Sequence, residues 1–251
     1  MAWLRSFLFA VFQIVTVIPY AIACLLWAPL PLRWRYRLTR GWPRLVIWAG
    51  RWLVGMRWRV KGWENLPDGP AIVLSKHQSA WETLFLAGWM PHDICFVHKR
   101  ELNWIPFFGW GLALLHMIAI DRGRGRDAFE QVIAQGRDRL AAGRWLLMFP
   151  EGTRIAPGKA GKYKSGGARV AVRTGARVVP VAHNAGECWP RNAFVKRPGI
   201  ITVSIGPPID PQGLTAEELN KQVEAWIEGE MRRLSPERYR DAAPAVATAR
   251  S

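Results

Sequence analysis

The stretch AIVLSKHQSAWETLFLAGW, residues 71–89, joins a predicted strand to a predicted helix. Its first five residues form a continuous apolar run typical of a buried strand, and a helix is predicted to follow from Trp81. The polar residues between them therefore lie at a strand-to-helix turn, on the exposed rim of the fold. Similar apolar runs recur as ICFV (94–97), MIAI (117–120), WLLMF (145–149), VVPVA (178–182) and ITVSI (201–205).

Helical or Gly- and Pro-rich stretches separate these runs. Asp127 can cap a helix that lies between two of them, and a later helix is predicted to begin at Thr215. Apolar strands that alternate with helices predict an α/β domain over residues 62–234, with a mixed central sheet covered by helices. The Ala-, Pro- and Thr-rich tail, residues 235–251, is predicted to be disordered.

The N-terminal region is apolar and then basic. Residues 6–32 carry no charge, and as a straight helix they would reach about 40 Å, against a hydrocarbon thickness of roughly 30 Å. Because Pro19 interrupts this stretch and residues 45–56 form a second apolar segment, residues 1–61 are predicted to be a two-helix membrane anchor. A single span, a bent re-entrant hairpin and a signal peptide ending near Ala23 are the alternatives.

The charge balance indicates an anionic partner. Lysine and arginine exceed aspartate and glutamate by 16, but no zinc-ligand set, RNP-like strand or helix-turn-helix signal supports nucleic acid. Eight of the 15 tryptophans fall within the first 63 residues, which favours a membrane interface, although core packing is the alternative. Nine basic residues between positions 33 and 61 favour the cytoplasmic face of the inner membrane.

The cysteines do not indicate a bonded framework. Cys24, Cys95 and Cys188 are odd in number and far apart, so neither disulfides nor a zinc site is predicted. No metal or cofactor is required by the chemistry proposed below.

The strand-to-helix turn at residues 76–82 pairs an imidazole with a carboxylate. His77 and Glu82 are five residues apart, and they can meet if His77 lies at or before the first helical turn. A carboxylate bonded to one ring nitrogen leaves the other nitrogen free to accept a proton, as a general base requires. Since no Ser or Cys nucleophile motif is nearby, direct attack by a substrate hydroxyl is the more economical mechanism. A structural histidine is the alternative.

A second turn, Phe149-Pro150-Glu151-Gly152-Thr153-Arg154, follows another predicted strand. Gly152 permits close backbone approach, and Arg154 offers the planar fork suited to a phosphate. Lys99 and Arg100 follow the ICFV strand, and Arg122 follows MIAI, so further cations occupy similar rim positions. Taken separately, each of these could be a solvated charge.

Together these residues resemble the glycerolipid acyltransferase family, in particular its bacterial 1-acylglycerol-3-phosphate acyltransferases. Its four motif blocks occur in order, over roughly residues 62–206: KHQSAWE (76–82), KRELNWIPFFGWG with IAIDR (99–111 and 118–122), FPEGTR (149–154) and VVPVAH (178–183). One residue departs from the family's commonest pattern, because Glu82 stands where an aspartate is usual.

The resemblance implies a reaction and a site. His77 is expected to deprotonate the free hydroxyl of 1-acylglycerol 3-phosphate, with Glu82 orienting it, for attack on a thioester of coenzyme A or acyl carrier protein. Substrate-binding residues are then expected at Lys99, Arg100, Arg122, Glu151, Gly152, Thr153 and Arg154. The expected product is phosphatidic acid. The alternatives are another acceptor, such as glycerol phosphate, another lysophospholipid or an amino-acid lipid, and a non-catalytic protein that binds anionic lipid.

Overall fold

The computed structural model describes residues 1–105, 108–121, 123 and 125–239. Its strands are β1 (Met56–Lys61), β2 (Ala71–Ser75), β3 (Ile94–Lys99), β4 (Ile118–Ile120), β5 (Trp145–Met148), β6 (Arg177–His183) and β7 (Gly199–Ile205). Its α-helices are α1 (Ala2–Leu26), α2 (Leu32–Thr39), α3 (Gly41–Ala49), α4 (Trp81–Trp89), α5 (Phe108–Leu114), α6 (Gly125–Ala141), α7 (Gly166–Thr174), α8 (Ala185–Cys188) and α9 (Ala216–Leu234).

The strands form one sheet in the order β1-β7-β6-β2-β5-β3-β4. Neighbouring strands are parallel except for β6 and β7, which are antiparallel. The predicted α/β class and mixed sheet are therefore confirmed. Because β6, β2, β5, β3 and β4 run the same way, their carboxyl ends meet at one edge of the sheet, called here the carboxyl edge.

Both faces of the sheet are covered by helices. Within β2, Val73 packs with Phe9 of α1 and Phe85 of α4 on one face. Its neighbours Ile72 and Leu74 pack on the other face, with residues from α6, α7 and α9. Burial on both faces explains why β2 is an unbroken apolar run, because successive side chains of a strand point to opposite faces.

The predicted two-helix anchor is only half correct. In the described residues, α1 is the one helix long and apolar enough to cross a membrane. The second predicted arm, residues 45–56, is divided among the end of α3, a π-helical turn (Gly50–Val54) and the first residue of β1. Gly55 ends the turn in a left-handed conformation with a φ of 92°, which directs the chain into the sheet.

Strand β1 lies inside the segment predicted to be anchor. It pairs in parallel with β7 from Met56 to Lys61, so the sheet begins before the predicted domain boundary at residue 61. The strand was not predicted because charged residues alternate with apolar ones along its sequence, which made it resemble part of the basic cluster.

The C-terminal region was predicted to contain a helix followed by a disordered tail. Helix α9 begins where predicted: Thr215 and Glu218 form a reciprocal capping box. The predicted disordered tail is partly wrong, because Ser235 and Tyr239 are buried and a 3₁₀ turn (Pro236–Arg238) lies between them. Residues 240–251 of that tail lie outside the described residues.

Candidate active site

The sheet order brings separated motifs together at the carboxyl edge. His77 follows β2, and Glu151 follows β5, the strand beside it. Lys99 ends β3 on the other side of β5. Since neighbouring strands lie about 4.8 Å apart, turns that are far apart in sequence form one surface.

The pair of His77 and Glu82 is formed. His77 Nδ1 is 2.9 Å from Glu82 Oε1, because His77 precedes α4 and Glu82 lies in its first turn. The same oxygen accepts hydrogen bonds from the backbone N–H groups of Gln78 (2.9 Å) and Ser79 (2.8 Å). Glu82 is only 1% exposed, so three donors fix a buried carboxylate against the imidazole.

The surroundings of His77 set its tautomer and its ring plane. With Glu82 as acceptor, Nδ1 is the protonated nitrogen and Nε2 keeps a lone pair. The ring stacks on Phe149 at a centroid distance of 3.9 Å and an interplanar angle of 18°. The His77 side chain is 15% exposed, so it remains accessible while Phe149 and Glu82 restrict its rotation.

Glu82 remains ionised although it is buried. Burial by itself raises the pKa of this carboxyl, but His183, the His77 hydrogen bond and the Ser79 N–H outweigh it, so the pKa lies below its ordinary value. A carboxylate that keeps its charge can stabilise an imidazolium at His77.

His183 is a buried neighbour of this pair that the sequence reasoning did not assign to the site. Its Nε2 donates to the Lys76 carbonyl (2.8 Å), and its Nδ1 accepts from the Ala185 N–H (3.3 Å). Burial lowers the pKa of His183 despite the opposing effect of Glu82, 3.9 Å away. Glu82 is therefore a carboxylate neighbour of both His77 and His183.

Glu151 of the FPEGTR turn is buried rather than presented to solvent. Its Oε2 accepts from the His77 backbone N–H (3.0 Å), and its Oε1 is 2.7 Å from Lys76 Nζ. The backbone of the two turns is also joined, because the Ile155 N–H donates to the His77 carbonyl (2.8 Å). Glu151 thus holds the backbone of the His77 turn through a buried hydrogen bond. Apart from the FPEGTR motif, nothing in the sequence indicates this contact.

The remainder of that turn faces outward. Gly152 has a φ of 65°, which favours glycine, and Lys164 Nζ would lie 3.3 Å from a Cβ at this position. Thr153 is exposed and Arg154 is half-buried. Among the described residues, no acidic side chain is paired with the Arg154 guanidinium.

The other predicted cations differ in their surroundings. Lys99 is exposed at the end of β3. Arg100 donates to Asp121 at 3.0 Å, between two exposed side chains, so part of its charge is neutralised. Arg122 lies outside the described residues.

Four supporting residues were missed or not assigned: Lys76, Phe149, His183 and Glu228. Lys76 and Phe149 stand inside the predicted motifs, so they could have been considered from sequence. Glu228 could not, because it lies 152 residues after Lys76 yet its Oε1 is 2.7 Å from Lys76 Nζ.

The chain is similar to known acyltransferases. The model of the acyltransferase family matches residues 57–184. The chain is 47% identical over 219 residues to the 1-acyl-sn-glycerol-3-phosphate acyltransferase of Pseudomonas aeruginosa, covering 86% of this chain and 85% of that protein. The enzyme of that name from Limnanthes alba is 29% identical, over 84% of this chain and 74% of its own length.

A solved structure has the same fold. The crystal structure of the 1-acyl-sn-glycerophosphate (LPA) acyltransferase from Thermotoga maritima superposes with a TM-score of 0.77 at 25% identity. The match covers 94% of this chain and 98% of that one, so it includes the N-terminal helices as well as the sheet.

Proposed function

Because the chain belongs to the acyltransferase family, we propose that it is a 1-acyl-sn-glycerol-3-phosphate acyltransferase, which makes phosphatidic acid for phospholipid synthesis. The likeness to the Pseudomonas aeruginosa enzyme extends over most of both chains. The observation that carries the proposal is the 2.9 Å contact between His77 and Glu82 at the carboxyl edge, where a base is both oriented and accessible.

In the proposed mechanism, His77 Nε2 accepts the proton of the acceptor's free hydroxyl. The hydroxyl oxygen attacks the thioester carbonyl carbon, the carbon–sulfur bond breaks, and the proton passes to the departing thiolate. Glu82 holds the ring in the required tautomer and stabilises the imidazolium. A thioester is already activated, so proximity and a positioned base supply most of what the chemistry needs.

We propose that the acceptor's phosphate binds the outward-facing cations. Arg154 can bond a phosphate through two N–H groups, and Lys99 adds a point charge on the strand next to β5. Arg100, already bonded to Asp121, is better suited to a secondary role. Arg122, Gly152 and Thr153 remain predicted substrate contacts, whereas the burial of Glu151 favours an indirect role for it.

Membrane association places both substrates within reach in this proposal. The acyl chain of the acceptor lies in the bilayer and the donor's head group lies in the cytosol, so the carboxyl edge should sit at the cytoplasmic interface. The apolar exterior of α1, of which Ile14 is 61% and Val15 63% exposed, supports insertion. Either coenzyme A or acyl carrier protein is expected to carry the donor chain.

Acceptor choice is the direct test of the function. Purified protein in detergent should be given acyl-CoA or acyl carrier protein thioester together with 1-acylglycerol 3-phosphate, glycerol 3-phosphate, lysophosphatidylcholine or an N-acyl amino acid. We expect phosphatidic acid from the first acceptor and little product from the others. Faster acylation of an acceptor without a terminal phosphate, or no transfer at all by folded protein, would refute the assignment.

A further inference from the structure

We propose that Lys76 and Glu228 are positioning residues for the proposed acyl transfer, and that through them helix α9 holds the turn that carries His77. The inference rests on the proposed function, because it concerns the same base. The two residues are 152 positions apart in the sequence, and both are buried.

The Lys76 ammonium is completely enclosed. Its Nζ donates to Glu228 Oε1 (2.7 Å), Glu151 Oε1 (2.7 Å) and the Lys159 carbonyl (3.2 Å). These three acceptors match the three protons of the group, and the side chain has no exposed surface. Lys76 is therefore held in one position, unlike a solvated lysine.

The two carboxylates have further donors. Glu228 Oε1 also accepts from the Tyr163 hydroxyl (2.8 Å), and Glu151 Oε1 accepts from the Gly161 N–H (3.0 Å). The network consequently joins α9, the turn after β5 and the loop that follows it. Lys76 is the residue at which these elements meet.

Two connections lead from this network to the base. Glu151, fixed by Lys76, accepts the His77 backbone N–H through its other oxygen at 3.0 Å. The Lys76 carbonyl, one residue before His77, accepts from buried His183. Both polar groups of the peptide bond between residues 76 and 77, the Lys76 carbonyl and the His77 N–H, are therefore held by buried side chains.

Stability alone is a weak explanation for such a network. Burying two carboxylates and an ammonium costs desolvation energy that often equals or exceeds their attraction, and an apolar replacement can be as stable. Catalysis provides a stronger reason, because a displacement of about 1 Å at a reacting group can lower the rate about 100-fold. The Glu82 contact fixes the His77 ring, whereas the Lys76 network fixes the backbone from which the ring projects.

The test compares Glu228→Leu, which removes the acceptor, with Glu228→Gln, which keeps an oxygen that Lys76 and Tyr163 can reach. Glu230→Leu is the matched control: it lies on the same helix and bonds Ser204 (2.9 Å) and Arg233 (3.3 Å) outside the network. For each protein, kcat, the KM of donor and acceptor, and the thermal unfolding midpoint are measured in detergent.

Glu228→Leu is expected to lower kcat about 10- to 100-fold while both KM values stay within about twofold. Glu228→Gln should recover most of the loss, and Glu230→Leu should stay within about twofold of the wild-type kcat. A folded Glu228→Leu protein with wild-type kcat, or a loss no greater than that of Glu230→Leu, overturns the inference. If Glu228→Leu does not fold, Tyr163→Phe replaces it, with an expected loss in kcat of about 3- to 10-fold.

A second measurement separates positioning from general destabilisation. When Glu228→Leu is added to Glu82→Gln, its effect on kcat should shrink, because both changes act through His77. Equal effects in both backgrounds would contradict the inference. An inactive wild-type protein would instead refute the proposed function, so the two failures are distinguishable.

Discussion

Two carboxylates from two motifs hold the same histidine. Glu82 bonds the ring of His77 at 2.9 Å, and Glu151 bonds its backbone N–H at 3.0 Å. This geometry gives KHQSAWE and FPEGTR a physical reason to occur together. The first motif supplies the base and its orienting acid, and the second supplies the support for the turn as well as the outward-facing Arg154.

At the residue scale, substitutions at Glu82 test the orienting role. Glu82→Gln should lower kcat about 100-fold or more, because the amide cannot stabilise the imidazolium by charge. Glu82→Asp should retain part of the activity, since the charge survives and only its reach shortens. The test compares the initial rates of wild type, Glu82→Gln and Glu82→Asp at one pH. Circular dichroism checks that each protein is folded. Equal rates for Gln and Glu would exclude the role.

The buried imidazole of His183 should make stability depend on pH. Because burial lowers its pKa in the folded protein, the unfolded chain binds a proton more readily, near pH 6.5. The stability that neutral His183 contributes is present above that pH and is lost as the pH falls through the folded-state pKa. The unfolding free energy of His183→Gln should therefore fall less steeply from pH 7 to 5 than that of the wild type.

The candidate site residues could be predicted from motifs, whereas some of the residues that contact and support them could not. His77, Glu82 and Arg154 stand in short motifs whose chemistry can be interpreted locally. Glu228 stands in an amphipathic helix where a carboxylate is ordinarily solvated, and the contact that buries it comes from tertiary packing. The burial of Glu228 depends on the order of the strands in the sheet, and local sequence patterns do not reveal that order.

At the scale of elements, the strand order assembles the site. Strand β5 lies between β2 and β3, so the turn with Arg154 separates the His77 turn from Lys99. The apolar runs predicted six strands because those strands are buried on one or both faces. They missed β1, where Arg57 and Arg59 alternate with Trp58 and Val60, since an edge strand with charged outward residues lacks a continuous apolar run.

The proposed phosphate site combines cations from the ends of two neighbouring strands, β3 and β5. Arg154→Ala and Lys99→Ala should each raise the KM for 1-acylglycerol 3-phosphate more than the KM for the thioester donor. Arg177→Ala is the matched control, since Arg177 lies at the amino end of β6, at the opposite edge of the sheet. Equal activity of wild type on acceptors with and without phosphate would count against the assignment.

The connection after β1 should be sensitive to a single methyl group. Gly62 has a φ of 74°, and a Cβ there would overlap the Ile205 carbonyl oxygen of β7. Gly62→Ala should therefore destabilise the protein by about 1–3 kcal/mol. Gly69→Ala is the control, because no atom of the residues that the structure describes lies within 4 Å of a Cβ at that position. If the two variants had the same thermal unfolding midpoint, the proposed clash between a Cβ at position 62 and the Ile205 carbonyl oxygen would be contradicted.

For the whole molecule, the N-terminal region is a packed unit with an apolar exterior. The Trp42 indole N–H donates to Thr16 at 3.1 Å, which joins α3 to α1. Outward-facing indoles include Trp34 at 43% and Trp52 at 76% exposure, as an interfacial role predicts. Two arginines of the basic segment at residues 33–61 donate to backbone carbonyls within the protein: Arg35 to that of Leu114 and Arg44 to that of Gly88.

Each Lys or Arg near an anionic membrane surface contributes about 1 kcal/mol, so we expect the apolar surface of α1 to be the main source of membrane affinity. A wash at high salt should therefore leave the full-length protein in the membrane pellet. The double variant Ile14→Asn with Ile18→Asn should lower the bound fraction, whereas Ile200→Asn, at a similarly exposed residue of β7, should not. Release of wild-type protein by salt alone would show that charge dominates. Substitution is preferable to deleting residues 1–60, which would also remove Phe9 and β1 from the core.

Product formation by wild type and His77→Ala in parallel tests whether His77 is the general base of an acyl transfer. Both proteins are purified in detergent, checked for the same unfolding midpoint, and given an acyl thioester with 1-acylglycerol 3-phosphate. We expect the wild type to form phosphatidic acid and His77→Ala to be slower by about 100-fold to 10,000-fold, because a positioned base is lost. Near-normal turnover by folded His77→Ala protein would exclude His77 as the general base.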